Sequence, residues 1–218
     1  MRKTVTIRNE QEKDYRRVEE ILRKAFWNLY IPGCIEHYLA HVMRGHEDFL
    51  SELDLVAELD GQVIGNIMYT KAKLVDESGT EKTILTFGPI SVLPEYQREG
   101  YGKELIEASF QKAAELGYDV IVIFGNPGNY VSRGFKSCKK YNVCLANGAY
   151  PSAMLVKELS PSVLDGRKWV YCQSPVYEID EEKMAQEIQQ FDDTFEKMEK
   201  KYQPSQEEFY IHSHSMIQ

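Results

Sequence analysis

Residues 83–105 carry the most chemistry in this chain. An apolar, β-branched run (83–92) meets Pro94, then Gln97-Arg98-Glu99-Gly100-Tyr101-Gly102, then a helical pattern. A strand that passes through a glycine-bearing turn into a helix points several backbone N–H groups at one spot, at the positive end of the helix dipole. That arrangement binds anions, and glycine there lets the backbone approach a phosphate closely. Arg98 and Lys103 would oppose the dipole at a helix start, and a bound polyphosphate gives them a reason to be there. Two phosphate motifs are excluded. Lys103 is followed by Glu104, which rules out a Walker A loop. Leu105 stands where the dinucleotide fingerprint needs its third glycine, which disfavours a dinucleotide oxidoreductase.

Downstream, Leu105, Ile106, Ala108, Phe110, Ala113 and Ala114 recur mostly on one helical face up to Gly117. The run 120–124 reads as a buried strand. Tyr130-Val131-Ser132-Arg133-Gly134-Phe135 follows.

These two segments resemble the GCN5-related N-acetyltransferase (GNAT) family. Gln97, Gly100 and Gly102 fill its pyrophosphate-loop pattern Gln/Arg-x-x-Gly-x-Gly/Ala, and Tyr130, Gly134 and Phe135 fill its Tyr-x-x-x-Gly-Phe pattern. Pro127-Gly128-Asn129 stands where the family usually has an alanine in a short helix, so that helix is expected to be shortened. The resemblance implies an N-acetyltransferase that moves the acetyl group of acetyl-CoA to a primary amine of a small molecule or peptide, without a metal. It implies that Ile90 and Val92 present backbone groups to the pantetheine arm and thioester. Gln97, Arg98, Glu99, Gly100, Tyr101, Gly102 and Lys103 would wrap the pyrophosphate, and Asn126 would lie near the pantetheine or phosphate. Tyr130 would be the general acid. The chain has 14 tyrosines, so only the motif spacing singles this one out. Many relatives carry a basic glutamate on the strand before the loop, yet residues 82–93 contain no Asp or Glu. That absence leaves open a non-catalytic acyl-CoA sensor of the same fold.

The elements that must hold these residues follow from periodicity. A strand at 5–7, a helix at 12–26, a helix at 33–50 and strands at 55–59 and 63–72 are expected, the last two joined by the hairpin signal Asp60-Gly61. After the segments above, 135–145 and 152–158 read as a closing antiparallel pair. The expected architecture is α/β (α+β): the acyl-CoA N-acyltransferase fold over 1–160, a mixed sheet of about seven strands flanked by helices. A C-terminal helical extension (161–218) follows. In it Met184, Ile188, Phe191, Phe195, Met198 and Tyr202 recur at helical spacing, predicting an amphipathic helix near 181–202. It is expected to pack back on its own domain, the alternative being a homodimer contact.

Bulk properties bound the rest. At 218 residues and 43% apolar content the chain can bury a sizeable core, and its net charge of −8 argues against nucleic acid or an anionic membrane as partner. Cys34, Cys138, Cys144 and Cys172 show no metal or redox spacing and read as reduced thiols of a cytoplasmic protein. Met1-Arg2-Lys3-Thr4 is polar, and no apolar run approaches the roughly 20 residues of a membrane span. His212 and His214 read as solvated. Unassisted loss of the amine proton would give turnover that rises from pH 7 toward 9. A flat profile would reveal a dedicated base, to be sought among His37, His41 and Glu36; His46 is a further acid–base group of the same region.

Overall fold

The computed structural model describes residues 3–218; Met1 and Arg2, part of the polar lead-in, lie outside the described residues. Strand β1 (Thr6–Asn9) leads to helices α1 (Tyr15–Phe26) and α2 (Glu36–Met43). Strands β2 (Leu55–Leu59), β3 (Gln62–Asp76) and β4 (Glu81–Val92) follow as a meander. Helix α3 (Tyr101–Glu115) crosses over to β5 (Val120–Phe124), and α4 (Pro127–Tyr130) is a single turn. Next come β6 (Lys136–Ser137), β7 (Val143–Cys144), β8 (Met154–Glu158) and β9 (Trp169–Cys172), then α5 (Ala185–Asp192) and α6 (Pro204–His214).

The sheet runs β1-β2-β3-β4-β5-β8-β6 and counts nine strands in all, against about seven expected. Both additions come from sequence too short or too late to read. β9 pairs antiparallel with the far end of β3, from Lys73↔Cys172 to Asp76↔Trp169, and β7 lies parallel to β9. β2 pairs only with the near end of β3, so β9 covers the edge that β2 leaves. Residues 63–70 of β3 are buried on both faces, as in a sheet covered on both sides. Beyond them Lys71 and Lys73 face out while Ala72 and Leu74 face in, the alternation of a half-covered sheet. The turn at Asp60-Gly61 has φ of +50° and +78°, the geometry that favours Asp-Gly in two-residue hairpins.

Three elements differ from their sequence expectation. The helix expected over 33–50 is only Glu36–Met43, because the backbone beyond it turns to join β3: Lys71 N donates to Asp48 O and Leu50 N to Tyr69 O. The closing pair shrinks to β6 on β8, since Cys138–Tyr141 forms a tight helical turn and Asn142 adopts a φ of +54°. The amphipathic helix near 181–202 stops at Asp192. Its stripe nevertheless packs inward: Phe191 and Phe195 close on the His37 ring, with centroids 5.5 and 5.1 Å away. Arg23 of α1 donates to Asp192 (2.8 Å) and to Glu196 O (2.8 Å), and Tyr38 of α2 donates to Glu187 (2.7 Å). Met198 and Tyr202, past the helix, are exposed.

A buried ionic cluster locks the helical layer. Arg44 donates to both oxygens of Glu10 (3.0 and 2.8 Å) and to Glu19 of α1 (2.8 Å). Burial beside Glu10 pushes the carboxyl of Asp54 upward, so one guanidinium serves a crowded set of acids. Removing one partner of a buried pair strands the others in low dielectric. Arg44→Leu should therefore lower stability by about 3–5 kcal/mol, measured by chemical denaturation at neutral pH.

Candidate active site

The site begins where two strands part. β4 and β5 are parallel and share one register pair, Leu85↔Ile121, after which β5 ends at Phe124 while β4 runs on to Val92. A bulge assists the parting. Ile67 faces Ile90 and Tyr69 faces Phe87, so Gly88 and Pro89 together oppose Met68. Pro89 sits there without a ladder hydrogen bond to lose. Between the strands opens a cavity of about 700 Å³.

The backbone of β4 faces this cavity in a definite sense. Leu93 N donates to Ile64 O on the β3 side (2.8 Å), so the Val92 carbonyl points the other way, where the Gln97 side-chain amide donates to it (2.9 Å). Strand alternation gives Ile90 the same orientation. The Gly88 carbonyl accepts from the Tyr177 hydroxyl (3.0 Å).

One end of the cavity is basic. Arg98 (φ +63°) and Gly100 (φ +90°) both take left-handed conformations, which fold the loop back so that α3 starts at the cavity. Gly100 O accepts from Glu104 N (3.2 Å), so the N–H groups of residues 101–103 precede the helical ladder. Arg98 and Lys103 line the cavity here, and Arg133, in the turn after Tyr130, lines it as well.

Tyr130 closes the floor. Its ring lies 5.8 Å from those of Phe87 and Phe135, and burial, helped by nearby Tyr30, pushes its phenol above the ordinary range. The shortened helix expected here is observed as the four residues of α4. Asn126 caps it by accepting from Gly128 N (2.9 Å), and Gly134 (φ +87°) turns the chain into Phe135. Gly125 is bare for a reason of space: a Cβ there would meet Tyr130 Cε2 at 2.6 Å.

Most of the residues singled out from sequence converge. Ile90, Val92, Gln97, Arg98, Gly100, Gly102, Lys103, Asn126 and Tyr130 line the cavity. Glu99 and Tyr101 do not: Glu99 is exposed, and the Tyr101 ring is buried beside Tyr96. Of the four acid–base candidates in the helical region, only Glu36 reaches the cavity. His37 is sealed beneath Phe191 and Phe195, and burial lowers it to about 4. His41 pairs with Glu19, and His46 lies beside Asp48. Sequence reasoning missed Gly125, Tyr30 and, from the C-terminal extension, Tyr171, Gln173 and Tyr177. Gly125 directly follows a buried strand and could have been noticed; the others carry no local pattern. Among the described residues no group of His, Cys, Asp or Glu forms a metal site, and no helix is long and apolar enough to cross a membrane.

A parted pair of strands with a glycine loop and helix start at one end defines the acyl-CoA acyltransferase fold. The chain belongs to the GNAT family of acetyltransferases, whose family model matches residues 15–136, more than half of its length. It is 29% identical over 150 residues to the uncharacterized N-acetyltransferase YhbS of Escherichia coli K12, covering 68% of this chain and 84% of that protein. The crystal structure of E. coli YhbS in complex with CoA superposes with a TM-score of 0.70 at 25% identity, covering 83% of this chain and 95% of that one. A GNAT family acetyltransferase from Brucella melitensis, in complex with acetyl-CoA, shares the fold with a TM-score of 0.62 at 24% identity, covering 81% of this chain and 99% of that one.

The Gly125–Tyr130 contact predicts a non-additive pair. Gly125→Ala should cost about 1–3 kcal/mol by overpacking. Most of that cost should vanish when Tyr130 is already alanine, as read from a double-mutant cycle of thermal unfolding.

Proposed function

We propose that the protein transfers the acetyl group of acetyl-CoA to a primary amine. The observation that carries this reading is the parted β4–β5 edge, which offers the Ile90 backbone between two carbonyls already occupied by Tyr177 and Gln97. It lies between a basic helix start and a buried tyrosine. In this reading the N–H groups of residues 100–103, with Arg98 and Lys103, hold the pyrophosphate, which suits a helix N-terminus. Gln97 acts by fixing the loop to Val92 rather than by touching phosphate, and Asn126 shapes the turn. Tyr101, buried beside Tyr96, holds the loop's shape. Ile90 aligns the pantetheine and polarises the thioester carbonyl, and fixed donors aimed at a developing oxyanion are a large catalytic term. The CoA and acetyl-CoA complexes of YhbS and the B. melitensis protein support the same donor here.

Acyl transfer forms a C–N bond and breaks the C–S bond. Tyr130 gives its proton to the departing CoA thiolate. Its raised pKa keeps that proton in place across the neutral range.

Two measurements test this. Saturating CoA, at about 100 times its Kd, should stabilise the fold by about 2.7 kcal/mol, a rise of about 5–10 °C in melting temperature for a chain of this size. An unchanged melting temperature would exclude CoA as ligand. Tyr130→Phe should keep that shift and lose roughly 10²–10⁴-fold in turnover in a thiol-release assay. CoA binding with no thiol release from any amine would instead make the domain an acyl-CoA sensor.

A further inference from the structure

The cavity sorts its charges. Arg98, Lys103 and Arg133 stand on the loop, the start of α3 and the turn after Tyr130. The only carboxylate among the described lining residues is Glu36, at the first turn of α2. Tyr30 lies between the two regions, close enough to Glu36 and to Tyr130 to couple electrostatically to both. The lining that α1, α2 and the segment between them contribute beside Glu36 is apolar or aromatic: Phe26, Leu29, Tyr30 and Leu39. Two lining hydroxyls are already engaged. The Tyr171 hydroxyl pairs with Thr86 Oγ1 (2.7 Å), and the Tyr177 hydroxyl donates to Gly88 O. What this region offers a ligand is ring faces, aliphatic surface, the Tyr30 hydroxyl and one carboxylate.

We infer that Glu36 receives the acceptor's ammonium and takes its proton, and that the acceptor is a small primary amine on an aromatic or apolar body with no second charge. This rests on the acetyltransferase reading above. A second ammonium would be buried among rings without a partner, which is costly. A carboxylate beside the amine would face Glu36 and be repelled. A single ammonium gains Glu36 and the faces of the surrounding rings.

The proton balance closes. Glu36 takes one proton from the ammonium, and the neutral amine adds to the thioester carbonyl. The C–S bond then breaks, and the thiolate takes the Tyr130 proton. Tyr130 regains one from the new amide nitrogen, so the products are amide, thiol and one proton, which Glu36 releases to water.

The groups around Glu36 set its proton affinity. Burial pushes the carboxyl up to about 7; the backbone N–H groups of Glu36 and Ile35 (the latter at 3.0 Å) hold it back, and Glu181 adds to the push. Tyr30 and the half-buried thiol of Cys34 are neighbours whose own ionisation Glu36 suppresses. Such a carboxylate is half ionised near neutrality, a useful poise for a base. Without it, kcat/KM would climb with the free-amine fraction toward an amine pKa near 10. With it, kcat/KM rises up to about pH 7 and then stays level, so the climb toward pH 9 expected from the bare strand should be absent.

The experiment measures thiol release at pH 6–9.5 for the full chain and for Glu36→Gln. The amines are 2-phenylethylamine, phenylalanine, putrescine and a lysine-containing hexapeptide. Wild type should prefer 2-phenylethylamine by at least about tenfold, near the lower end of what one mismatched group costs in a fitted pocket, and level off above pH 7. Glu36→Gln should keep the CoA melting shift, lose roughly 10²-fold in kcat/KM at pH 7, and recover progressively toward pH 9. A wild-type profile that still climbs to pH 9, or a Gln variant with an unchanged profile, overturns the role of Glu36, and the wild-type arm decides this even if the variant does not fold. Preference for phenylalanine, putrescine or the peptide overturns the acceptor class. No CoA shift and no release from any amine would overturn the acetyltransferase reading itself, a result distinct from turnover that ignores Glu36.

Discussion

A parallel strand pair that closes for one residue and then opens leaves backbone donors and acceptors without a ladder partner. Buried backbone groups must be paired somewhere, and this requirement organises the whole cleft. Tyr177 takes the Gly88 carbonyl and Gln97 takes the Val92 carbonyl. The bulge at Gly88 and Pro89 bends β4 away from β5 at the place where the pairing fails. What remains between the two occupied carbonyls is an extended backbone facing a cavity, the surface to which an extended, amide-bearing arm can add itself as a strand would.

The C-terminal extension is part of this construction. It adds β9 to the sheet, and β9 and the segment after it bring Tyr171, Gln173 and Tyr177 to the cavity. Its later part clasps the helical layer from outside. Arg23, only 4% exposed, stacks on Trp27 at 4.1 Å while donating to Asp192 and Glu196 O. Phe209 of α6 stacks on Tyr30 with centroids 4.4 Å apart, and Ser205 and Gln206 donate to the carbonyls of Leu29 and Asn28. Tyr30, a cavity residue from the N-terminal half, is therefore positioned by the last helix of the chain.

The electrostatics work at two scales. A net charge of −8 gives an acidic exterior, while the cavity lining carries Arg98, Lys103 and Arg133 on the loop, the start of α3 and the turn after Tyr130, and Glu36 at the start of α2. A cleft with low-dielectric walls strengthens such fields locally. Anionic and cationic groups of a ligand are thus favoured beside different parts of one lining.

Local sequence determined the parts of the site that depend on local geometry. The glycine loop, the start of α3, the Tyr130 to Phe135 turn and the Asp60-Gly61 hairpin each follow from residues adjacent in the chain, whose φ preferences and periodicity act over a few positions. The same reasoning reached too far where an element's end is decided by a partner: the helix expected over 33–50 yields at Met43 to bonding with β3, and the stripe at 184–202 keeps its inward face only as far as Phe195. Tyr30, Tyr171, Gln173 and Tyr177 had no local signature at all, and Glu36 stood out only as one acid–base candidate among several, because these residues come from helix, loop and extension segments up to 147 positions apart. Whether a glutamate at a helix start meets water or a cavity, and whether the histidine next to it is exposed or sealed under Phe191, is a matter of burial. Burial is set by which distant surfaces meet, and only the tertiary structure decides that.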